Sequence, residues 1–194
     1  MSREGKAKVL TDAELLRVVK LQKLSKHAKR NIALIYCSFA LGLRAKELAA
    51  LKVRDLFNID TDTLLTVIQL KSAYTKGEKQ RDVYLSNAKL QIVLIEYLSE
   101  RYSLIGSEPL FLSQKRCSFS ANTIQMLFSK MYKEAGIIGA SSHSGRRTFA
   151  TRLIEQGADI KAVSTLMGHA SIAMTAEYVE NNPDRLAKLV LLAI

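Results

Sequence analysis

Hydrophobic positions recur with a helical period over most of the chain. Residues 30–40 form an almost continuous apolar run that ends near Gly42, a pattern typical of a buried helix closed by a glycine C-cap. Thr11 and Glu14, three residues apart, form a capping box and predict a helix start. Further helices are predicted over residues 88–101, 121–135, 146–156, 160–166 and 184–194.

The period changes between residues 57 and 85. Residues 63–69 are rich in β-branched side chains and residues 81–85 form a second short β-type run, with a polar turn at residues 76–79. Glycines at the predicted helix ends favour C-caps; they are Gly136, Gly157 and Gly168. The predicted fold class is α+β and mainly helical: a helical bundle with one small antiparallel sheet, forming one domain over residues 1–194.

Charge changes the picture more than the rest of the composition does. The chain has 29 Lys and Arg against 18 Asp and Glu, a formal net charge of +11 concentrated in residues 17–30, 71–81 and 115–152. Basic fields of this kind attract polyanions and steer their approach, although a solvated basic surface is the alternative. No basic segment carries an exposed aromatic-rich apolar face, and the apolar runs are too short to span a bilayer. We expect nucleic acid as partner, and no membrane.

Cysteine and carboxylate placement narrows the chemistry. Cys37 and Cys117 have no metal-ligand spacing and suggest no disulfide framework, and Cys37 is predicted to be buried within an apolar helix. Asp159, Glu177 and Glu180 are scattered and form no metal-site pattern. With no signal peptide at the amino terminus, these features predict a reducing, cytoplasmic setting and no metal or cofactor.

Four side chains suited to a phosphodiester lie in one late stretch: His143, Arg146, His169 and Tyr178. A tyrosine can act as a covalent nucleophile only where its surroundings stabilise the charge that it attacks and the charge that it releases. Taken singly, a tyrosine in an apolar helix is usually a packed core residue, and a histidine after a helix-ending glycine is usually a cap. Together, in a basic chain, they indicate phosphoryl transfer on DNA.

The first two of these residues are spaced for a shared anion site. His143 and Arg146 lie three residues apart, which places both on one helix face. If Ser142 or Ser144 caps that helix, both side chains lie near its positive end. Upstream, Arg44 begins another predicted helix with Glu47 three residues on, and an exposed ion pair of small energetic value is the plain interpretation.

This ordered set resembles the tyrosine recombinases, the phage integrases and their bacterial relatives. Arg44 matches the first signature arginine, His143-x-x-Arg146 the second signature, His169 after Gly168 the third, and Tyr178 the nucleophile. The resemblance covers nearly the whole chain. It departs from the commoner family form at the residues flanking Arg146, where Gly145 and Arg147 stand in place of leucine and histidine. Because glycine is a poor helix former, Gly145 is expected to loosen the local helix.

The resemblance implies a role for each matched residue. Arg44 and Arg146 would grip the scissile phosphate, and His143 and His169 would hydrogen-bond to it. His143 would also help to move the proton of Tyr178, which would attack phosphorus and leave a 3′-phosphotyrosine and a free 5′-hydroxyl. The covalent link conserves the bond energy, so the resemblance implies strand exchange without ATP or metal.

A lysine on the predicted β-turn completes the set that the family implies. Lys76 resembles the family lysine that protonates the departing 5′ oxygen, with Lys79 and Lys71 as rival candidates. A lysine at such a turn is otherwise an ordinary solvated residue. Predicted DNA contacts are Lys79 and Arg81, in the basic stretch of residues 71–81, and Arg147, in the basic stretch of residues 115–152.

Two alternatives to a recombinase stay open at the level of sequence. The chain could be a DNA-binding regulator that keeps the fold without catalysis, or an enzyme of the type IB topoisomerase class, which uses the same chemistry without strand exchange.

Family members typically carry a helical core-binding domain of roughly 100 residues before the catalytic one. Here Arg44 comes early, so we expect either a recombinase without that domain or part of a longer enzyme.

The last predicted helix raises one further expectation. Residues 184–194 carry an apolar stripe formed by Leu186, Leu189, Val190 and Ile194. The family resemblance implies that such a segment docks on a neighbouring protomer and supports a tetramer on double-stranded DNA. Packing on its own domain is the equal alternative.

Overall fold

Helices dominate the computed structural model of the protein, which describes residues 6–74, 80–101 and 104–178. The helices within these ranges are α1 (Asp12–Gln22), α2 (Ala28–Leu41), α3 (Ala45–Ala50), α4 (Val53–Leu56), α5 (Ala88–Leu98), α6 (Ala121–Glu134), α7 (Ser144–Glu155), α8 (Ile160–Met167) and α9 (Ile172–Ala176). The strands are β1 (Phe57–Asn58), β2 (Thr63–Leu64), β3 (Val67–Leu70) and β4 (Arg81–Tyr84), and a 3₁₀ turn covers Ser72–Tyr74.

Helix α2 is the centre of the hydrophobic core. Almost all of its residues are buried, and it packs against α1, α5 and α7. A helix that is apolar on every side belongs in the interior, and burying each large aliphatic or aromatic side chain contributes about 1.5–3 kcal/mol. Cys37 is fully buried here, as predicted. The helix ends at Gly42, whose φ of 61° is left-handed and easily adopted by glycine alone.

The sheet prediction was right in type and incomplete in number. Strands β3 and β4 pair antiparallel in the predicted region, with Val67 opposite Tyr84 and Leu70 opposite Arg81. A second antiparallel pair, β1 with β2, precedes them, and the predicted run of residues 63–69 is divided between β2 and β3. Two-residue strands give too little alternation for a sequence pattern to mark them. The α+β, mainly helical fold class is confirmed.

The helix start predicted at Thr11 is confirmed. The Thr11 hydroxyl accepts a hydrogen bond from the Glu14 backbone N–H at 3.2 Å, and the Glu14 carboxylate accepts one from the Thr11 N–H at 3.0 Å. This is the predicted capping box. Predicted and observed helix ends differ most in α5, where residues 88–101 were predicted and Ala88–Leu98 is helical. Residues 184–194 lie outside the described residues.

Gly145 is a close-packing residue and does not merely loosen its helix. A Cβ atom on Gly145 would lie 2.2 Å from Ser38 Oγ and 2.9 Å from Phe39 Cδ2, both on α2. Only a residue without a side chain lets α7 approach α2 this closely. The expected loosening was therefore the wrong interpretation, because the intrinsic helix penalty is small beside the tertiary contact that glycine permits.

Replacing Gly145 with alanine is expected to destabilise the protein by roughly 1–3 kcal/mol, the usual cost of overpacking a core. Helix propensity alone predicts the opposite, a gain of about 1 kcal/mol. Urea unfolding of Gly145→Ala, Ser38→Gly and the double variant measures the coupling between the two positions. If the double variant is no more stable than the sum of the two single effects predicts, the contact with Ser38 does not explain why residue 145 is a glycine.

Candidate active site

Arg146 connects the ends of three helices, α2, α7 and α8. It lies in the first turn of α7 and is only 3% exposed. Its Nη1 donates to the Gly42 carbonyl at 2.7 Å, and its Nη2 donates to the Met167 carbonyl at the end of α8. Carbonyls at helix carboxyl ends carry partial negative charge and stabilise a cation. Burial, and then the charges of Arg44 and Arg81, lower the pKa of Arg146 to about 9, so it remains charged at neutral pH.

The Glu47 carboxylate binds the side chains of two arginines, Arg44 and Arg81. Its side chain is fully buried, and its carboxylate accepts hydrogen bonds from Arg81 Nη1 at 2.6 Å and Arg81 Nη2 at 3.0 Å. The same carboxylate accepts from Arg44 Nη1 at 2.9 Å and from the Arg44 backbone N–H at 2.8 Å, which also closes the start of α3. The interpretation as an exposed ion pair is therefore wrong. The Arg44 side chain, 18% exposed, still reaches the surface of the site.

Arg81, predicted as a DNA contact, has its side chain buried in the structure. Only 6% of that side chain is exposed, because β4 alternates and turns Arg81 and Val83 inward while Asp82 and Tyr84 face outward. Its aliphatic part runs close to Gly168, where a Cβ atom would lie 2.7 Å from Arg81 Cδ. The guanidinium of Arg81 thus pairs with Glu47. The alternation that places Arg81 on the same strand face as Val83 is visible in the sequence.

His143 lies at the amino end of α7, but the expected serine cap of this helix is absent. Neither Ser142 nor Ser144 caps the helix: His143 itself is the N-cap residue, with no side-chain capping bond. Ser141 Oγ accepts from the His143 backbone N–H at 3.3 Å, and His143 remains exposed. Partial burial of the imidazole, and then the charges of Arg146 and Arg44, hold the pKa of His143 below its usual 6.5. A neutral imidazole at this position can accept a proton.

His169 and Tyr178 form one aromatic unit. Their rings stack with centroids 5.8 Å apart and planes 12° apart. The Arg147 guanidinium carbon lies 6.0 Å from the centre of the Tyr178 ring. On its other side, His169 Nδ1 is 2.7 Å from Thr175 Oγ1. Burial, followed by the charges of Arg146, Arg44 and Arg81, lowers the pKa of His169 to about 4, so the ring is neutral at physiological pH.

These predicted residues converge on a single cavity of about 250 Å³. Its lining is mostly basic and aromatic and consists of Lys6, Ala7, Arg44, His143, Arg146, Arg147, His169, Met174, Glu177 and Tyr178. Lys6 was not identified from the sequence; its Nζ lies 4.0 Å from the Glu177 carboxylate, at the other end of the chain, and no local pattern reveals such a pair. Lys76 and Lys79 lie outside the described residues, so their positions are untested.

Within the described ranges, no three or more His, Cys, Asp or Glu side chains come together as a metal-binding group. In the same ranges no helix is both long and apolar enough to cross a bilayer.

Comparison with known proteins places the chain in a family. Residues 8–185 match the model of the phage integrase family. The chain belongs to this family. A tyrosine recombinase XerD from Oceanobacillus iheyensis is 32% identical over 184 residues, which cover 92% of the chain and 59% of that relative. Family membership agrees with the resemblance drawn from the order and spacing of the signature residues.

Solved structures show the same fold. The crystal structure of XerA recombinase superposes with a TM-score of 0.75 at 27% identity, covering 97% of this chain and 66% of that one. XerH site-specific recombinase, in a post-cleavage complex with palindromic difH substrate, gives a TM-score of 0.73 at 26% identity, covering 95% of this chain and 52% of that one. The chain therefore spans between about half and two thirds of the length of the proteins that it matches.

Proposed function

We propose that this chain is the catalytic part of a site-specific tyrosine recombinase, which cleaves and rejoins DNA strands through a 3′-phosphotyrosine. The observation that carries the proposal is the convergence of five side chains on one cavity: Arg44, His143, Arg146, His169 and Tyr178. These five come from four separate regions of the sequence. Family membership supports the assignment, and the electrostatics of the cavity match the charge of a phosphodiester.

The arginines bind the reacting phosphate. Two guanidinium groups can each donate to the non-bridging oxygens and neutralise the charge that builds up at a pentacoordinate phosphorus. Arg146 is held rigid by two backbone carbonyls, and Arg44 by the Glu47 carboxylate. Because both cations are fixed before substrate arrives, little reorganisation is needed during the reaction.

The nucleophile and its proton acceptor both line the cavity. In the proposed step the Tyr178 oxygen forms a bond to phosphorus, and its proton passes to neutral His143. His169, also neutral, donates a hydrogen bond to a phosphate oxygen. The bond from phosphorus to the 5′ oxygen breaks, and Lys76 supplies the proton to that oxygen. The reverse sequence with a new 5′-hydroxyl rejoins the strand, so neither ATP nor a metal ion is consumed.

Double-stranded DNA is the proposed partner. The net charge of +11 and the basic cavity favour a polyanion, and the XerH relative was solved with a DNA site after cleavage. Arg147, next to Tyr178, is a proposed DNA contact, and Lys79 is another from the sequence alone. Assembly of a tetramer on DNA through residues 184–194 is a proposal that rests on the family resemblance.

Covalent capture of DNA tests the function and identifies the target sequence in the same experiment. The protein is expressed in bacterial cells that carry a genomic library on plasmids, the cells are lysed in denaturant, and DNA that stays attached to the protein is sequenced. We expect recurrent break sites linked through the 3′ phosphate to Tyr178, together with recombinant junctions at the same sites.

The other outcomes separate the alternatives. Adducts and relaxed plasmids without recombinant junctions would indicate a topoisomerase-like enzyme. Specific DNA binding without any adduct would indicate a catalytically silent regulator and would refute the proposal.

A further inference from the structure

Thr175 is a buried residue at the junction between the two aromatic side chains of the site. It is fully buried on α9, and its hydroxyl lies 2.7 Å from His169 Nδ1. Among the described residues that hydroxyl has no other hydrogen-bond partner. No sequence pattern singles it out, since threonine is common within short apolar helices.

The direction of this hydrogen bond follows from the burial of Thr175. A neutral imidazole carries one N–H donor and one acceptor nitrogen, and a hydroxyl can play either part. If His169 Nδ1–H donated to Thr175, the buried threonine proton would have no acceptor within the described structure. An unsatisfied buried polar group is costly. Donation from the hydroxyl to Nδ1 is the arrangement that satisfies both groups, and it leaves the ring proton on Nε2.

We propose that Thr175 is a positioning residue that fixes His169 in the Nε2–H tautomer and holds its ring in register with Tyr178. The proposal rests on the roles proposed above for His169 and Tyr178. In this tautomer Nε2, the nitrogen that Thr175 leaves unoccupied, is a donor suited to a phosphate oxygen; the opposite tautomer would present a lone pair to an anion. Hydrogen bonding at one ring nitrogen is the general means by which proteins select the tautomer at the other.

The backbone of Thr175 makes the second connection. Its carbonyl accepts a hydrogen bond from the Tyr178 N–H at 3.0 Å, in the turn that follows α9. The side chain thus holds His169 while the main chain holds Tyr178, and the two rings stack 5.8 Å apart. Both rings are therefore connected to α9 through Thr175.

Nitrogen NMR of histidine tests the tautomer directly and needs no DNA. The chain has three histidines, so ¹⁵N-histidine labelling gives a spectrum that His27→Gln and His169→Gln variants assign completely. Long-range ¹H–¹⁵N correlations at neutral pH distinguish a protonated from an unprotonated ring nitrogen. We expect His169 to show protonated Nε2 and unprotonated Nδ1 in the wild type.

Three threonine variants separate positioning from general packing. Thr175→Val keeps the shape, removes the hydroxyl and is expected to shift the His169 signals toward an average of both tautomers, while Thr175→Ser restores the wild-type pattern. The matched control is Thr148→Val, because Thr148 is also fully buried and its hydroxyl accepts one hydrogen bond, from the Leu10 N–H at 3.0 Å. An unchanged His169 pattern in Thr175→Val would overturn the proposal. So would protonated Nδ1 in the wild type, a result that does not depend on any variant folding.

A rate measurement then separates this proposal from the proposed function. On a nicked duplex carrying a captured site, Thr175→Val should slow adduct formation about tenfold, a part of the full contribution of a positioned hydrogen-bond donor, with DNA affinity unchanged. Thr175→Ser should recover most of that rate, and Thr148→Val should retain it. If the wild type shows the expected tautomer and forms no adduct, the proposed function is refuted while the effect of Thr175 on the tautomer stands. If adducts form and the rate and tautomer of Thr175→Val are both unchanged, the positioning role of Thr175 is refuted while the proposed function stands.

Discussion

Replacing Tyr178 with phenylalanine is expected to abolish the covalent protein–DNA adduct and to leave DNA binding nearly unchanged. The phenolic oxygen is the only heavy atom removed, and it is the proposed nucleophile. The phenylalanine ring can keep both the stacking on His169 and the packing against the small apolar cluster between α7 and α8. We expect affinity for DNA to change by less than about threefold, which corresponds to under ~1 kcal/mol.

Denaturing gel electrophoresis of labelled, nicked duplex measures the adduct, and fluorescence anisotropy measures binding. The matched control is Tyr84→Phe, since Tyr84 is a tyrosine of β4 that is 54% exposed and lies outside the cavity. That control should form adduct at the wild-type rate. Adduct formation by Tyr178→Phe would mean that another side chain attacks, and the assignment of the nucleophile would have to be abandoned.

Local patterns explain why so much of the fold could be read from the sequence. The capping box at Thr11, the apolar run of α2 and the glycine after it depend on residues within one or two turns of each other. Four of the five residues that converge on the cavity were first grouped by their chemistry in a basic chain, and the order and spacing of a family pattern then added Arg44 and a role for each residue. Taken singly, His169 and Tyr178 would have been interpreted as a cap and a core residue.

Interactions between distant segments explain what local patterns in the sequence could not reveal. Glu47 looked like half of an exposed helical ion pair because its second partner, Arg81, is 34 residues away and on a strand. Arg81 looked like a DNA contact because it lies in a basic stretch of the sequence, although it shares a strand face with Val83. The low pKa of His169 likewise depends on burial and on arginines that only the folded chain brings together.

Replacing Glu47 with glutamine is expected to destabilise the protein by roughly 3–5 kcal/mol, the cost of breaking a buried ion pair by removing one partner. The amide keeps the shape and loses the charge, so Arg81, whose side chain is 6% exposed, would be left as an uncompensated cation. Net stabilities of whole domains are about 5–15 kcal/mol, so the loss is large. The exposed control is Glu100→Gln, whose ion pair with Lys29 at 3.2 Å lies at the surface, and it should change stability by less than about 1 kcal/mol.

The pH dependence of unfolding gives an independent check on Glu47. Burial alone would raise the pKa of this carboxyl, but the hydrogen bonds and charge of Arg81, with the Arg44 N–H, outweigh it and hold the pKa below 4.5. A carboxyl with a lowered folded-state pKa adds stability that is fully present above its unfolded value and is lost as the pH falls through the folded value. The difference in unfolding free energy between wild type and Glu47→Gln should therefore be constant above about pH 5 and shrink below it. A constant difference throughout would show that the charge is unimportant.

A double variant separates the contribution of Glu47 to stability from its contribution to the site. Arg81→Met with Glu47→Gln removes the stranded cation, so urea unfolding should show the pair to be more stable than the two single effects added together predict. Adduct formation should not recover with it, because Arg44 still lacks the carboxylate that fixes its guanidinium at 2.9 Å. Recovery of both together would mean that Glu47 serves the fold alone. We therefore expect the double variant to regain stability without regaining activity. The reaction depends on the position of the Arg44 guanidinium, whereas folding depends on neutralising the charge of Arg81.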